Sequence, residues 1–254
     1  MAWVTLNVDQ TPMATYVATP DGPGPFPAIV FAQHIGGVDD TTEQYCDRLA
    51  AAGFVTVCPD LYHRQDKAIP FEDVYSASED VLRVRDLVVG KARSLKSTLK
   101  DDEMVRDMEA AADYVTSLSA NKNSRIGVVG FCMGGRVAYL VATRSNRYSA
   151  TAVAFPSGLF KGEGDNPSPF DKSSDITTPM LGLFGAEDHD PSLEQAKRVD
   201  AQLTALGIEH SFHYYEGAGH GFMNPHNHDH YHAHAAESAW SELLQFLPER
   251  LGVD

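Results

Sequence analysis

Short apolar segments alternating with amphipathic helical stretches predict an α/β fold, a mostly parallel central sheet flanked by helices on both faces. Three observations predict it. Ala28–Ala32 and Phe54–Cys58 are apolar throughout, as central strands buried on both faces must be. Met104, Met108, Ala111, Val115 and Leu118 recur at helical spacing and share one face. The apolar segment Arg125–Val129 runs into Gly130-Phe131-Cys132-Met133-Gly134-Gly135, a glycine-framed turn that opens another helix.

The remaining elements follow in order. Val4–Val8 and Ala14–Ala18 read as an N-terminal hairpin. After Ala28–Ala32, a helix is expected to open at Asp40, with Glu43 three residues on and Tyr45, Leu49 and Ala52 facing inward. Residues 60–103 are charged, begin as irregular chain, turn helical, and are read as part of a rim over the site. Strand Ile126–Val129 and the helix bearing Met133, Val137, Leu140 and Val141 come next. Thr151–Phe155, Met180–Phe184 and His210–Tyr215 are further strands. Asp190-Pro191 reads as the start of a helix carrying Leu193, Ala196, Leu203 and Leu206, with Asp190 as its cap. A last helix buries Trp240, Leu243, Leu244 and Leu247.

Composition narrows the classes of function. With 43% hydrophobic residues in 254, the chain has material for a sizeable core. No Pro/Ser/Gly-rich linker or internal repeat divides it, so residues 1–254 are expected to form a single domain. The net charge of −15 argues against nucleic acid or an anionic membrane as partner, since both need clustered Lys and Arg. It fits solubility or a salty habitat. Cys46, Cys58 and Cys132 cannot all pair and lack metal-type spacing, which points to a reduced, cytoplasmic protein. The N-terminus shows no basic segment followed by an apolar one, and no run of about 18 apolar residues occurs.

The turn at Cys132 carries the chemistry. Its G-x-nucleophile-x-G pattern, with cysteine as nucleophile, is so tight that residues two before and two after must lack bulk. Gly130 and Gly134 meet that demand. The side chain then projects above the sheet, and the Met133 N–H points at the reacting carbonyl from a helix start. A buried structural cysteine is the alternative, weakened by the three glycines around it.

In an open parallel sheet, reactive groups collect at the carboxyl edge. Gly185-Ala-Glu-Asp188 follows one strand and delivers a carboxylate; Glu216-Gly-Ala-Gly-His220 follows the next and delivers a histidine. Nucleophile, acid and histidine thus occur in the chain order of an α/β-hydrolase triad. In that arrangement His220 activates Cys132 and Asp188 orients the imidazole. Glu187 and Asp190 compete with Asp188, Asp190 being better explained as a cap. Acyl chemistry needs a second oxyanion donor, for which Ile35 N–H in Gln33-His34-Ile35-Gly36-Gly37 is the candidate beside Met133 N–H.

Gly-Phe-Cys132-Met-Gly-Gly, Gly185-x-x-Asp188, Ala218-Gly-His220-Gly-Phe, Gln33-x-Ile35-x-Gly and Pro59-Asp-Leu-Tyr62 together resemble the dienelactone hydrolase family over nearly the whole chain. The resemblance implies an α/β-hydrolase fold, a Cys-His-Asp triad, no cofactor or metal, and hydrolysis of lactones or small esters. Two positions depart from it. His34 stands where founding members have a glutamate thought to exchange a proton with the cysteine, so it is a second base, a hydrogen-bond donor to substrate, or a packed loop histidine. Asn224 stands where an arginine would hold a substrate carboxylate and lacks its charge and fork. Arg83 or Arg85 would correspond to the other substrate-binding arginine, with no motif to choose between them.

Other readings carry less. Gly127-Val-Val-Gly130 lacks the G-x-G-x-x-G spacing of a dinucleotide site. His226, His228, His230, His232 and His234 form a cluster in which His230 and His234, if helical, could take a metal, although the stretch reads as solvated surface. A second class of function is a non-catalytic protein using Cys132 as a redox- or ligand-sensing thiol. The oriented His220 and Asp188 favour the enzyme, acting on a small ester or lactone as a monomer or homodimer.

Overall fold

The computed structural model describes residues 1–65, 90, 92–118 and 121–252. Arg83, Arg85 and most of the expected rim, 66–89, lie outside the described residues.

Eight strands form one sheet: β1 (Ala2–Val8), β2 (Thr11–Ala18), β3 (Phe26–Ala32), β4 (Val55–Pro59), β5 (Asn121–Phe131), β6 (Ala150–Ala154), β7 (Met180–Gly185) and β8 (His210–Tyr215). Their spatial order is β1-β2-β4-β3-β5-β6-β7-β8. The first hairpin pairs antiparallel, and β2 continues antiparallel onto β4. From β4 to β8 every pairing is parallel. The helices are α1 (Asp40–Ala51), α2 (Asp101–Ser117), α3 (Met133–Arg144), α4 (Leu193–Ala205) and α5 (Ala233–Leu251), with a short helical stretch at 92–98.

Residue alternation on the strands separates two cores. Ile29, Phe31, Val129 and Phe131 pack with Tyr45 and Leu49 of α1 and Trp240, Leu243 and Leu247 of α5. Ala28, Val30 and Val128 face the other way, onto Met104 and Met108 of α2, Val137 of α3 and Leu203 of α4. Strands covered on both sides have no water-facing row, which is why their sequences show no polar alternation.

Several local expectations are corrected. Asp39, not Asp40, caps α1: its side chain accepts from Thr42 N–H at 3.0 Å. Ala52 is exposed just past that helix. Helix α4 begins at Leu193 because Ser192 and Gln195 form a reciprocal capping box, which releases Asp190 from capping. Leu206 stays 39% exposed, since Ala196, Val199 and Leu203 already supply the buried face. His230 precedes α5, so it has no helical register with His234, and His232 caps the helix by accepting from Ala235 N–H. Among the described residues no His, Cys, Asp or Glu cluster is arranged to hold a metal. Cys46 and Cys58 are fully buried, as their strand and helix patterns implied. No helix among the described residues is long and apolar enough to cross a membrane.

Candidate active site

The chain places β3 at the centre, adds β4 on one side and then crosses to β5 on the other. Loops leaving neighbouring strands at such a reversal diverge and leave a crevice above the carboxyl edge. Cys132 follows β5 there, and the loop 33–37 follows adjacent β3.

Cys132 has φ 57° and ψ −122°, a left-handed backbone conformation that a side-chain-bearing residue adopts only when its surroundings enforce it. The enforcement is visible: its N–H donates to Ala154 C=O at 3.0 Å and its C=O accepts from Ser157 N–H at 3.1 Å. A Cβ on Gly130 would meet Gly134 O at 2.0 Å, and one on Gly134 would meet Ala32 O at 2.0 Å. Bulk is excluded on both sides of Cys132.

Strands β7 and β8 deliver the other two groups. His220 Nε2 lies 3.1 Å from Cys132 Sγ. Its Nδ1 lies 2.9 Å from Asp188 Oδ2 and 3.2 Å from Oδ1. Asp188 is buried whereas Glu187 is exposed, which selects between the two carboxylates. Burial opposes ionisation of Cys132, but the His220 hydrogen bond and charge, with smaller help from His34 and Lys96, outweigh it and lower the thiol to about 7. Burial likewise opposes charge on His220, yet Asp188 and Cys132 raise it to about 10. Each partner favours the other's charged form, which shifts the pair toward thiolate and imidazolium.

The loop 33–37 closes as a tight turn, with Gly37 N–H donating to His34 C=O at 3.0 Å. Neither Ile35 N–H nor Met133 N–H has a hydrogen-bond partner among the described residues. Tyr62 ties the two segments together: its hydroxyl donates to Ile35 C=O at 2.9 Å and lies 3.5 Å from Met133 Sδ. Gln33 adds a second tie, accepting from Leu61 N–H at 3.1 Å.

His34 has both ring nitrogens engaged inside this loop. Nε2 lies 2.8 Å from Asp39 Oδ1, and Nδ1 accepts from Gly36 N–H at 3.3 Å. The Gly36 bond assigns the neutral ring's proton to Nε2, facing Asp39. Burial disfavours a charge on His34, but Asp39 more than compensates and raises its pKa. A Cβ on Gly36 would stand 2.4 Å from the ring, so glycine is what lets the imidazole fold back. Replacing Asp39 by Ala removes the α1 cap and the imidazole anchor together. A loss of about 1–2 kcal/mol in a thermal or urea unfolding measurement is expected.

Asn224 turns its carbonyl into its own loop, accepting from His226 N–H at 2.9 Å. Of three further residues at the site, Phe155 and Ser157 were not singled out as functional from sequence, and Asp190 was weighed against Asp188 and set aside as a cap. Phe155, just past β6, sets its ring edge-on to His220 with centroids 5.3 Å apart. Ser157 and Asp190 bond each other at 2.8 Å, beside Asp188. All three lie within five residues of a strand end, the one signal that pointed to Phe155 and Ser157.

Sheet order and the strand-to-helix turn at Cys132 define an α/β-hydrolase fold. The sequence model of the dienelactone hydrolase family matches residues 13–251, and the chain belongs to that family. A relative from Synechocystis sp., described provisionally as a carboxymethylenebutenolidase, is 28% identical over 249 residues, covering 98% of this chain and 96% of its own length. A Bradyrhizobium relative, described provisionally as a 2-oxo-3-(5-oxofuran-2-ylidene)propanoate lactonase, is 28% identical, covering 97% of this chain and 93% of its own. A Klebsiella pneumoniae crystal structure, described provisionally as a dienelactone hydrolase, shares the fold with a TM-score of 0.81 at 24% identity, covering 96% of each chain. The protein is a hydrolase of the ester- and lactone-cleaving kind.

Proposed function

We propose that the protein opens lactones and cleaves small carboxylic esters through a thioester on Cys132. The observation that carries this reading is the 3.1 Å approach of His220 Nε2 to Cys132 Sγ, with Asp188 on the imidazole's far side. The thiolate attacks the carbonyl carbon, and Ile35 and Met133 N–H hold the resulting oxyanion. Collapse expels the alkoxide, which takes the Nε2 proton of His220. His220 then removes a proton from water, which attacks the thioester, releases the acid and restores the thiolate–imidazolium pair. The relatives named for butenolide and oxofuran lactones support including unsaturated lactones in the substrate class. With Asn224 at the position where an arginine would read a carboxylate, uncharged esters belong there too. No cofactor enters the scheme, and the protein works as a monomer or homodimer in the cytoplasm.

A panel of dienelactone, simple lactones and short p-nitrophenyl esters tests the reading; hydrolysis of none of them overturns it. The pH dependence is a sharper check. A lowered thiol pKa means thiolate is present above about 7, and a raised imidazole pKa keeps imidazolium up to about 10. Iodoacetamide alkylation of Cys132 is therefore expected to accelerate as pH rises through about 7, and kcat/KM to fall again near 10. A thiol titrating at the ordinary value of about 8.5 removes the ion pair.

A further inference from the structure

We infer that Asp190 is a positioning residue that closes a hydrogen-bonded ring through the candidate triad, locking its acid to its nucleophile by a route that avoids the imidazole. The inference rests on the triad reading above. The ring runs across four neighbouring strands of the sheet, β5 to β8, in their spatial order. Cys132 C=O, after β5, accepts from Ser157 N–H, after β6, at 3.1 Å. Ser157 Oγ donates to Asp190 Oδ2, after β7, at 2.8 Å. Asp190 N–H donates to Asp188 Oδ1 at 2.9 Å. Asp188 reaches His220, after β8, and His220 returns to Cys132 Sγ at 3.1 Å.

Two features show that Asp190 is built into this ring. Its other oxygen, Oδ1, accepts from Gly158 N–H at 3.1 Å, so both carboxylate oxygens grip the loop after β6. It is also released from capping α4, because Ser192 and Gln195 do that work. The physical consequence concerns Asp188. A carboxylate three residues past a strand swings with its loop, and its distance to His220 swings with it. Pinning Asp190 to Ser157 and Gly158 holds that loop against the same backbone that holds Cys132 in its left-handed conformation. Acid and nucleophile therefore share one frame, and the imidazole is caught between two fixed points.

The loop after β6 has a further brace on the opposite side. Gly158 C=O and Lys161 C=O each accept from the guanidinium of Arg136 at 3.1 Å, and that guanidinium is buried against Asp101. Arg136 stands on α3, the helix that Cys132 opens. The frame to which Asp190 is tied is thus anchored to the nucleophile helix twice.

The test compares Asp190→Ala, Asp190→Asn and Ser157→Ala with wild type in kcat, KM, thermal midpoint and the pH midpoint of Cys132 alkylation. Asp190→Ala frees the loop, so kcat is expected to drop roughly tenfold with KM little changed. The alkylation midpoint should move to higher pH, because a loosely held Asp188 stabilises imidazolium less and the thiolate loses part of its partner. Asp190→Asn keeps an acceptor for Gly158 N–H and offers its amide N–H to Ser157 Oγ, and should return kcat to within about threefold. Should Asp190→Ala fail to fold, Ser157→Ala removes one spoke only and should still lower kcat by about threefold, with the midpoint shifted the same way. Folded variants with wild-type kcat and midpoint, or an Asn variant as impaired as Ala, overturn the inference. Cys132→Ala measured alongside separates the two readings: turnover surviving there removes the triad, whereas its loss together with an Asp190→Ala that behaves as wild type removes only the ring.

Discussion

Cys132→Ala is expected to lower kcat/KM on a short p-nitrophenyl ester by at least about 10⁴-fold, leaving the fold intact. The side chain removed is small and only partly buried, and the backbone geometry at the elbow is enforced by Ala154 and Ser157 rather than by the thiol. Loss of activity without loss of structure is the signature of a nucleophile. Cys132→Ser is expected to retain a trace of turnover, roughly 10²-fold or more below wild type. A serine hydroxyl is not ionised in the ground state, so the pair that brings the thiol down to about 7 has no counterpart. Trapping the acylated enzyme by mass spectrometry distinguishes a thioester route from water attack directed by His220 alone. An unimpaired Cys132→Ala variant would falsify the nucleophile assignment.

Gly134→Ala should be strongly destabilising, costing more than about 3 kcal/mol of stability. The added Cβ would lie 2.0 Å from Ala32 O and 2.7 Å from Gln33 O. Both are backbone atoms at the end of a central strand, and neither can move without dragging the loop that carries Ile35. Urea unfolding reads the stability loss, and residual activity of the folded fraction reads the displaced loop. Gly219→Ala is the matched control: its nearest non-local atom is Glu187 O at 3.9 Å, ordinary contact. That variant should stay within about 1 kcal/mol of wild type. Equal tolerance of the two substitutions would show that the elbow is looser than its contacts imply.

Much of the site was legible because its members are marked by local pattern. Gly130 and Gly134 frame Cys132, and Asp188 and His220 each follow a strand within five residues. A strand end is a local property of the chain, and the carboxyl edge collects whatever stands there. Asp190 shows where that logic stops. An acidic residue before proline and a helical pattern reads as a cap, and nothing nearby revealed that Ser157, 33 positions away, would claim its carboxylate. His34 is similar: its loop was evident, but its pairing with Asp39 depended on the turn closing and on Gly36 leaving room for the ring. Cap positions slipped for the same reason. Asp39 and Asp40 are equally good residues, and only the path of the turn decided which side chain met Thr42 N–H.

Apolar periodicity, glycine placement and the order of reactive residues are properties of the linear chain, and they were enough to specify a parallel sheet, a strained turn and three groups at one edge of it. Which carboxylate faces His220, how far the thiol is acidified and how the loops brace one another emerged only on folding. Those quantities are set by distances between side chains remote in sequence, and hydrogen bonding and charge coupling fall off too steeply with distance for residue order to stand in for it.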